Sequence, residues 1–164
     1  MVHSVYISIG TNQGHKVNNC YLAIQKLRTI SEISKISSFY KTSSWGYEDG
    51  FYLNFVVQIS TIFSPDKLLE KLLFIEKDMG RIRSSFRYSS RIIDFDILFF
   101  DDLVINVSNL IIPHPNLYVR KFVLIPLLEI VPNFVCPKKN MKICDLLNQC
   151  NDQNSVEKFL SELK

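Results

Sequence analysis

The sequence lacks most of what would mark a disordered or membrane-spanning chain. Glycine and proline number only 5 and 6 among 164 residues. With no repeat and no low-complexity stretch, disorder is not expected. No apolar run approaches the ~20 residues that cross a bilayer. The longest, residues 122–131, is broken by Pro126 and Glu129. The N-terminus has no basic segment ahead of an apolar run, so no signal peptide is expected. The four cysteines (Cys20, Cys136, Cys144 and Cys150) form no C-x-x-C pair. Free thiols in a reducing compartment are therefore expected rather than a zinc site. A net charge of +3 tolerates a polyanionic ligand without marking a dedicated DNA binder. Neither a P-loop nor a G-x-G-x-x-G fingerprint occurs, so any nucleotide site must be of another design. These absences predict a soluble, cytoplasmic protein.

An apolar fraction of 47% is ample for one core, and residues 1–164 read as one domain. Val5, Ile7 and Ile9 alternate with Tyr6 and Ser8 as in a strand, which stops at Gly10-Thr11-Asn12-Gln13-Gly14. Val17, Tyr21, Ile24 and Leu27 recur at helical spacing. Strands are predicted over residues 33–41 and 53–61. Ser64-Pro65-Asp66 then starts a helix with a hydroxyl cap, a first-turn proline and an acid. Its stripe is Leu68, Leu72, Ile75 and Met79, and Gly80 ends it. Residues 92–100 read as a central strand, because apolar residues occupy both parities. Residues 103–105 suggest a further short strand, and helices are expected over 117–130, 141–150 and 156–163. The order β-α-β-β-α-β is that of an α+β ferredoxin-like sandwich, with helices on one sheet face and additional C-terminal helices appended. A chain starting on this strand and ending in a helix leads us to expect no fused partner enzyme.

Asp94 and Asp96 lie two apart on a predicted strand, so their carboxylates share a face, with Cα atoms ~6.6 Å apart. Ile93, Phe95, Ile97 and Phe99 are expected to point into the core. Two readings of the pair stand: a wet or arginine-paired face, or Mg²⁺ coordination completed by phosphate oxygens. Arg81, Arg83, Arg87 and Arg91 crowd the loop that feeds the strand. Such a run is often a solvated face, yet guanidinium forks fit phosphate oxygens, and phosphoryl transfer consists mostly of positioning and charge neutralisation. His114, between two prolines, reads by itself as a hydrogen-bonded structural residue. The Gly10-Thr11-Asn12 turn either cradles an anion or ends a strand. Ser37 and Ser38 have no base beside them and suggest packing.

Taken with further segments, these residues form an ordered set. They are Ile9-Gly10-Thr11-Asn12, Ser37-Ser38-Phe39-Tyr40-Lys41-Thr42, Tyr52-Leu53-Asn54 and Glu76-x-x-x-Gly80-Arg81-x-Arg83. Arg91-x-x-Asp94-x-Asp96-Ile97-Leu98, Pro113-His114-Pro115 and Arg120-x-Phe122-Val123-Leu124-x-Pro126-Leu127 follow. From about Val5 to Pro132 the chain resembles the 6-hydroxymethyl-7,8-dihydropterin pyrophosphokinases of folate biosynthesis. The resemblance implies transfer of pyrophosphate from ATP to the pterin hydroxymethyl group, with AMP released. It implies that Asp94 and Asp96 bind two Mg²⁺ ions and that Arg81 and Arg91 assist catalysis from a mobile loop. Glu76, Arg83, Arg91, Ile97, His114 and Arg120 would help hold ATP. Thr42, Ser43, Trp45, Tyr52, Asn54 and Phe122 would form the pterin pocket, where aromatic faces and an amide suit a flat polar bicycle.

Three positions depart from the family's habit. Tyr88-Ser89-Ser90 replaces Trp-Gly-Pro, Ser43-Ser44-Trp45-Gly46 replaces a proline-bearing loop, and Leu73 stands where a polar ATP contact occurs. The competing reading is a single-stranded RNA binder built on the same sheet. Asp94 and Asp96 would repel phosphates there, and no RNP-type aromatic motif is present. A relative that only binds nucleotide is disfavoured by the intact arginines and aspartates. The expected partners are the two substrates, with no nucleic acid or membrane, and the expected state is a monomer.

Overall fold

The computed structural model describes residues 1–43, 50–82 and 91–160. Trp45, Arg83, Arg87 and Tyr88-Ser89-Ser90 lie outside them.

Alternation builds β1 (His3–Thr11), and α1 (Lys16–Leu27) follows. α1 buries Cys20, Ala23, Ile24 and Leu27. Tyr21, expected in its stripe, is instead half-exposed and sets its ring against Phe39 at 5.6 Å. The single strand expected over 33–41 is two, β2 (Glu32–Ile36) and β3 (Tyr40–Ser43), and both pair with β4 (Phe51–Thr61). Between them Ser37 donates to Ser38 O and accepts the Val56 N–H, so this serine holds the break rather than doing chemistry. α2 (Pro65–Asp78) has the expected stripe, although Ser64 makes no side-chain capping bond. Gly80 follows at φ +92°, where a side chain would be strained.

The main sheet runs β10-β3-β4-β1-β5, all antiparallel, with β5 (Asp94–Phe100) beside β1 and β10 (Val156–Lys158) beside β3. Its inner order is that of a ferredoxin-like sandwich. β5 is thus not central; among the described residues it pairs only with β1. Its apolar residues on both parities have two other causes. Both faces of the sheet are covered, and a register shift opposite Tyr6 and Ile7 skips Leu98. Beyond that bulge Phe99 lies opposite Tyr6. It joins the second core with Phe134, not the first with Phe95, Ile97 and Phe100.

The first core lies between the sheet and α1 and α2. The second lies under α3 (Lys121–Ile130) and α4 (Ile143–Asn148). The expected helix 117–130 is interrupted at Arg120, after a 3₁₀ turn at Leu117–Val119. The short strand expected over 103–105 starts only at Ile105: β6 (Ile105–Val107) and β7 (Leu110–Ile112) form a hairpin. β8 (Val135–Cys136) and β9 (Met141–Lys142) pair ahead of α4. The expected helix over 156–163 is overturned where it is described: Val156–Lys158 is a strand, because the open edge of β3 accepts it.

Candidate active site

The even-numbered residues of β1 and β4 share the face that α3 and α4 cover, as Tyr6 and Val56 show. Toward the ends of β1, β4 and β5 the residues on this face turn polar. Gly10 is paired with Asp94 on one side and with Asn54 on the other, and Ser8 is paired with Asp96. Thr42 and Asn54 are both buried, and Asn54 Nδ2 donates to Thr42 Oγ1 at 3.1 Å. Tyr52 is opposite Thr42, and Ser43 is exposed at the end of β3. Phe122 is in the first turn of α3, with the Arg120 guanidinium 5.7 Å from its ring centroid.

Asp94 sits between two cations. Arg81 Nη1 donates to its Oδ1 at 2.6 Å and Arg91 Nη1 to its Oδ2 at 2.5 Å. Arg81 Nη1 also lies 2.5 Å from Glu76 Oε2. Burial disfavours the Arg81 charge, but Asp94 and Glu76 outweigh it and raise the pKa further. Glu76 is only 2% exposed and accepts the N–H of Phe95, the residue between the two aspartates, at 2.9 Å. It therefore braces the aspartate strand from beneath. Burial pushes the Glu76 pKa up against the pull of the Phe95 N–H and Arg81.

Asp96 is less compensated. His114 Nε2 is 3.6 Å and Arg120 Nη1 3.8 Å from its carboxylate oxygens, both beyond a good hydrogen bond. Burial and the neighbouring Asp94 raise its pKa, while His114, Arg120 and Arg91 pull it down less strongly. His114 Nδ1 accepts the Asn116 N–H at 3.2 Å. Burial keeps its pKa low despite Asp96, so the neutral ring carries its proton on Nε2, facing Asp96.

This donor set fits magnesium. It offers hard carboxylate oxygens, one of them short of positive charge, and among the described residues no cluster of three or more His, Cys, Asp or Glu could enclose an ion alone. Such an ion must take its remaining ligands from phosphate and water, as magnesium does.

Sequence reasoning missed two features. Asn12 Oδ1 accepts the Arg91 N–H at 2.6 Å, and Asn12 N–H donates to Arg91 O at 3.1 Å. The turn after β1 therefore holds the backbone of Arg91. Beside Asp96 and His114 opens a cavity of about 250 Å³. Leu69, Ile97, Leu110 and Ile111 give it apolar walls, and Ser108 and Asn109 line it too. The signal for this hairpin was the Ser108-Asn109 turn between Val107 and Leu110, masked by the lack of glycine. Leu69, not Leu73, is the α2 residue that lines it.

Comparison with known proteins gives concordant results. The family model for 7,8-dihydro-6-hydroxymethylpterin-pyrophosphokinase matches residues 6–132. A 2-amino-4-hydroxy-6-hydroxymethyldihydropteridine pyrophosphokinase of Aquifex aeolicus is 38% identical, spanning 98% of this chain and 98% of its own. One from Haemophilus influenzae is 34% identical over 94% of this chain and 97% of its own. Among solved structures, wild-type Plasmodium falciparum HPPK-DHPS with pteroate superposes with a TM-score of 0.73 over 91% of this chain. At 17% identity that likeness shows the fold, and this chain spans 42% of that longer one. No helix among the described residues is long and apolar enough to cross a membrane.

Proposed function

The chain belongs to the 7,8-dihydro-6-hydroxymethylpterin-pyrophosphokinase family, and from that premise we propose how its residues divide the work. The reaction is pyrophosphate transfer from ATP to 6-hydroxymethyl-7,8-dihydropterin in folate biosynthesis. A bond forms between the hydroxymethyl oxygen and the β-phosphorus, the α,β-bridging bond breaks, and AMP leaves. The carrying observation is the position of Gly10, opposite Asp94 on one strand and Asn54 on the other. One residue of β1 thus separates a phosphate-binding side from a pterin-binding side, and holding two substrates at such range is itself catalytic.

On the phosphate side, Asp94 and Asp96 would hold two Mg²⁺ ions, which when bound neutralise the triphosphate and polarise it toward attack. Arg91, fixed by Asn12, and Arg81, fixed by Glu76, turn from Asp94 to phosphate oxygens as charge develops. Arg83 would help hold ATP. Arg120 and neutral His114 stand at the Asp96 side of the triphosphate. The cavity over Ile97, with its apolar walls and polar lining, suits an adenine ring.

On the pterin side, Asn54, fixed by Thr42, reads the ring's edge. Tyr52 and Phe122 pack on the ring, Ser43 closes the rim, and Trp45 is assigned to the same pocket. Residues 1–164 act as one domain, a cytoplasmic monomer. An AMP-release assay dependent on the pterin and on magnesium tests the reaction. Product ADP, or near-normal turnover by Asp96→Ala, would sink this reading.

A further inference from the structure

The family model stops at residue 132, yet two substrate walls of this chain are tied down by the segment beyond it. Arg120, the N-cap residue of α3, makes no side-chain capping bond. The cap comes from far along the chain: Asp152 Oδ2 accepts the Lys121 N–H at 3.0 Å. Lys121 stands between Arg120 and Phe122, so the captured N–H fixes the backbone between the proposed ATP and pterin contacts. A carboxylate at this end of a helix also meets its positive pole. The other oxygen, Oδ1, accepts Asn154 N at 3.0 Å and Asn154 Nδ2 at 2.6 Å. That turn launches β10, which sets Val156 opposite Thr42. Past it, Phe159 donates its N–H to Phe39 O at 2.7 Å and stacks on Phe51 with centroids 6.0 Å apart.

We infer that Asp152 is a positioning residue for both substrates, joining the start of α3 to the strand that pins Thr42. One carboxylate holds Arg120 and Phe122 through the helix end, and Thr42 through the turn into β10. The inference rests on the reading of Phe122, Thr42 and Arg120 as substrate walls.

The test is steady-state kinetics on the full chain carrying Asp152→Ala, Asp152→Asn or Phe122→Ala. With the cap lost the start of α3 loosens, so Asp152→Ala should raise KM for the pterin about fivefold. KM for ATP should rise in the same direction while kcat stays within about twofold, since reacting groups are untouched. Asp152→Asn keeps one acceptor oxygen and should fall between wild type and Asp152→Ala. A folded Asp152→Ala with wild-type KM values would overturn the inference, as would a loss confined to kcat. If Asp152→Ala does not fold and Asp152→Asn folds with wild-type KM values, the residue serves folding alone. Phe122→Ala separates the two readings. If it leaves pterin KM unchanged, the pocket assignment fails. If it raises KM while Asp152→Ala does not, only the positioning role fails.

Discussion

Gly10→Ala offers the sharpest probe of how the two halves of the site share one strand. A Cβ at Gly10 would stand 2.7 Å from Asn54 Oδ1, with the Leu53 carbonyl 3.9 Å away on the same side. The carboxamide would have to retreat by roughly 0.5 Å or more to restore ordinary contact. It has little room, being 5% exposed and already bonded to Thr42 at 3.1 Å. The retreat therefore breaks or stretches a buried hydrogen bond and turns the amide away from the pterin edge. A polar atom of the bound pterin left buried without its amide partner costs about 1–3 kcal/mol. In pterin affinity that is roughly 5- to 150-fold. Stability should change less, because replacing glycine stiffens the unfolded chain by about 0.4–1 kcal/mol and offsets part of the loss. The assay is pterin binding by fluorescence or calorimetry, alongside ATP binding and thermal melting. Pterin affinity should drop by tenfold or so, with ATP affinity nearly unchanged and Tm within a few degrees. Wild-type pterin affinity in a folded Gly10→Ala protein would refute the claim that this face reads the pterin through a rigid Asn54.

Asp96→Asn should raise Tm at neutral pH when magnesium is absent, because the folded state penalises this carboxylate's charge. A raised pKa means the acid's contribution is intact at low pH and lost as pH rises through the folded value. The stabilisation by Asn should accordingly fade on acidification, and a pH-independent difference would count against it. Arg81→Ala removes one cation from Glu76 and Asp94 together. It should cost about 1.5–3 kcal/mol, lowering Tm by ~2–4 °C per kcal/mol; an unchanged melt would show that the tie does not brace β5. Arg91→Ala should reduce kcat far more than ATP affinity, measured by single-turnover AMP release. Asn12→Ala frees the Arg91 backbone and should reproduce part of that kcat loss without touching a phosphate contact; a kcat equal to wild type would show that Arg91 needs no such clamp.

Much of this protein could be read without coordinates. β1, α1 and α2 follow from spacing, and Gly10 to Gly14 and Gly80 mark where β1 and α2 stop. Asp94 and Asp96 were legible as a same-face pair because strand alternation is a local rule. The motifs carried the family, since their order along the chain does not depend on packing. Tertiary structure decided what local rules leave open. The bulge at Leu98 moved Phe99 to the second core, a choice made by the partner strand rather than by β5. Val156–Lys158 fits helical spacing but became a strand, because three residues take their structure from the edge that receives them. Glu76 and Asn12 were visible as motif letters, yet their work is to hold Arg81, Arg91 and β5, partners up to 79 residues distant. Residue order determined the chemistry this chain carries. The three-dimensional packing decided which groups hold the reacting ones in place, because hydrogen bonds and burial are set by neighbours in space rather than along the chain.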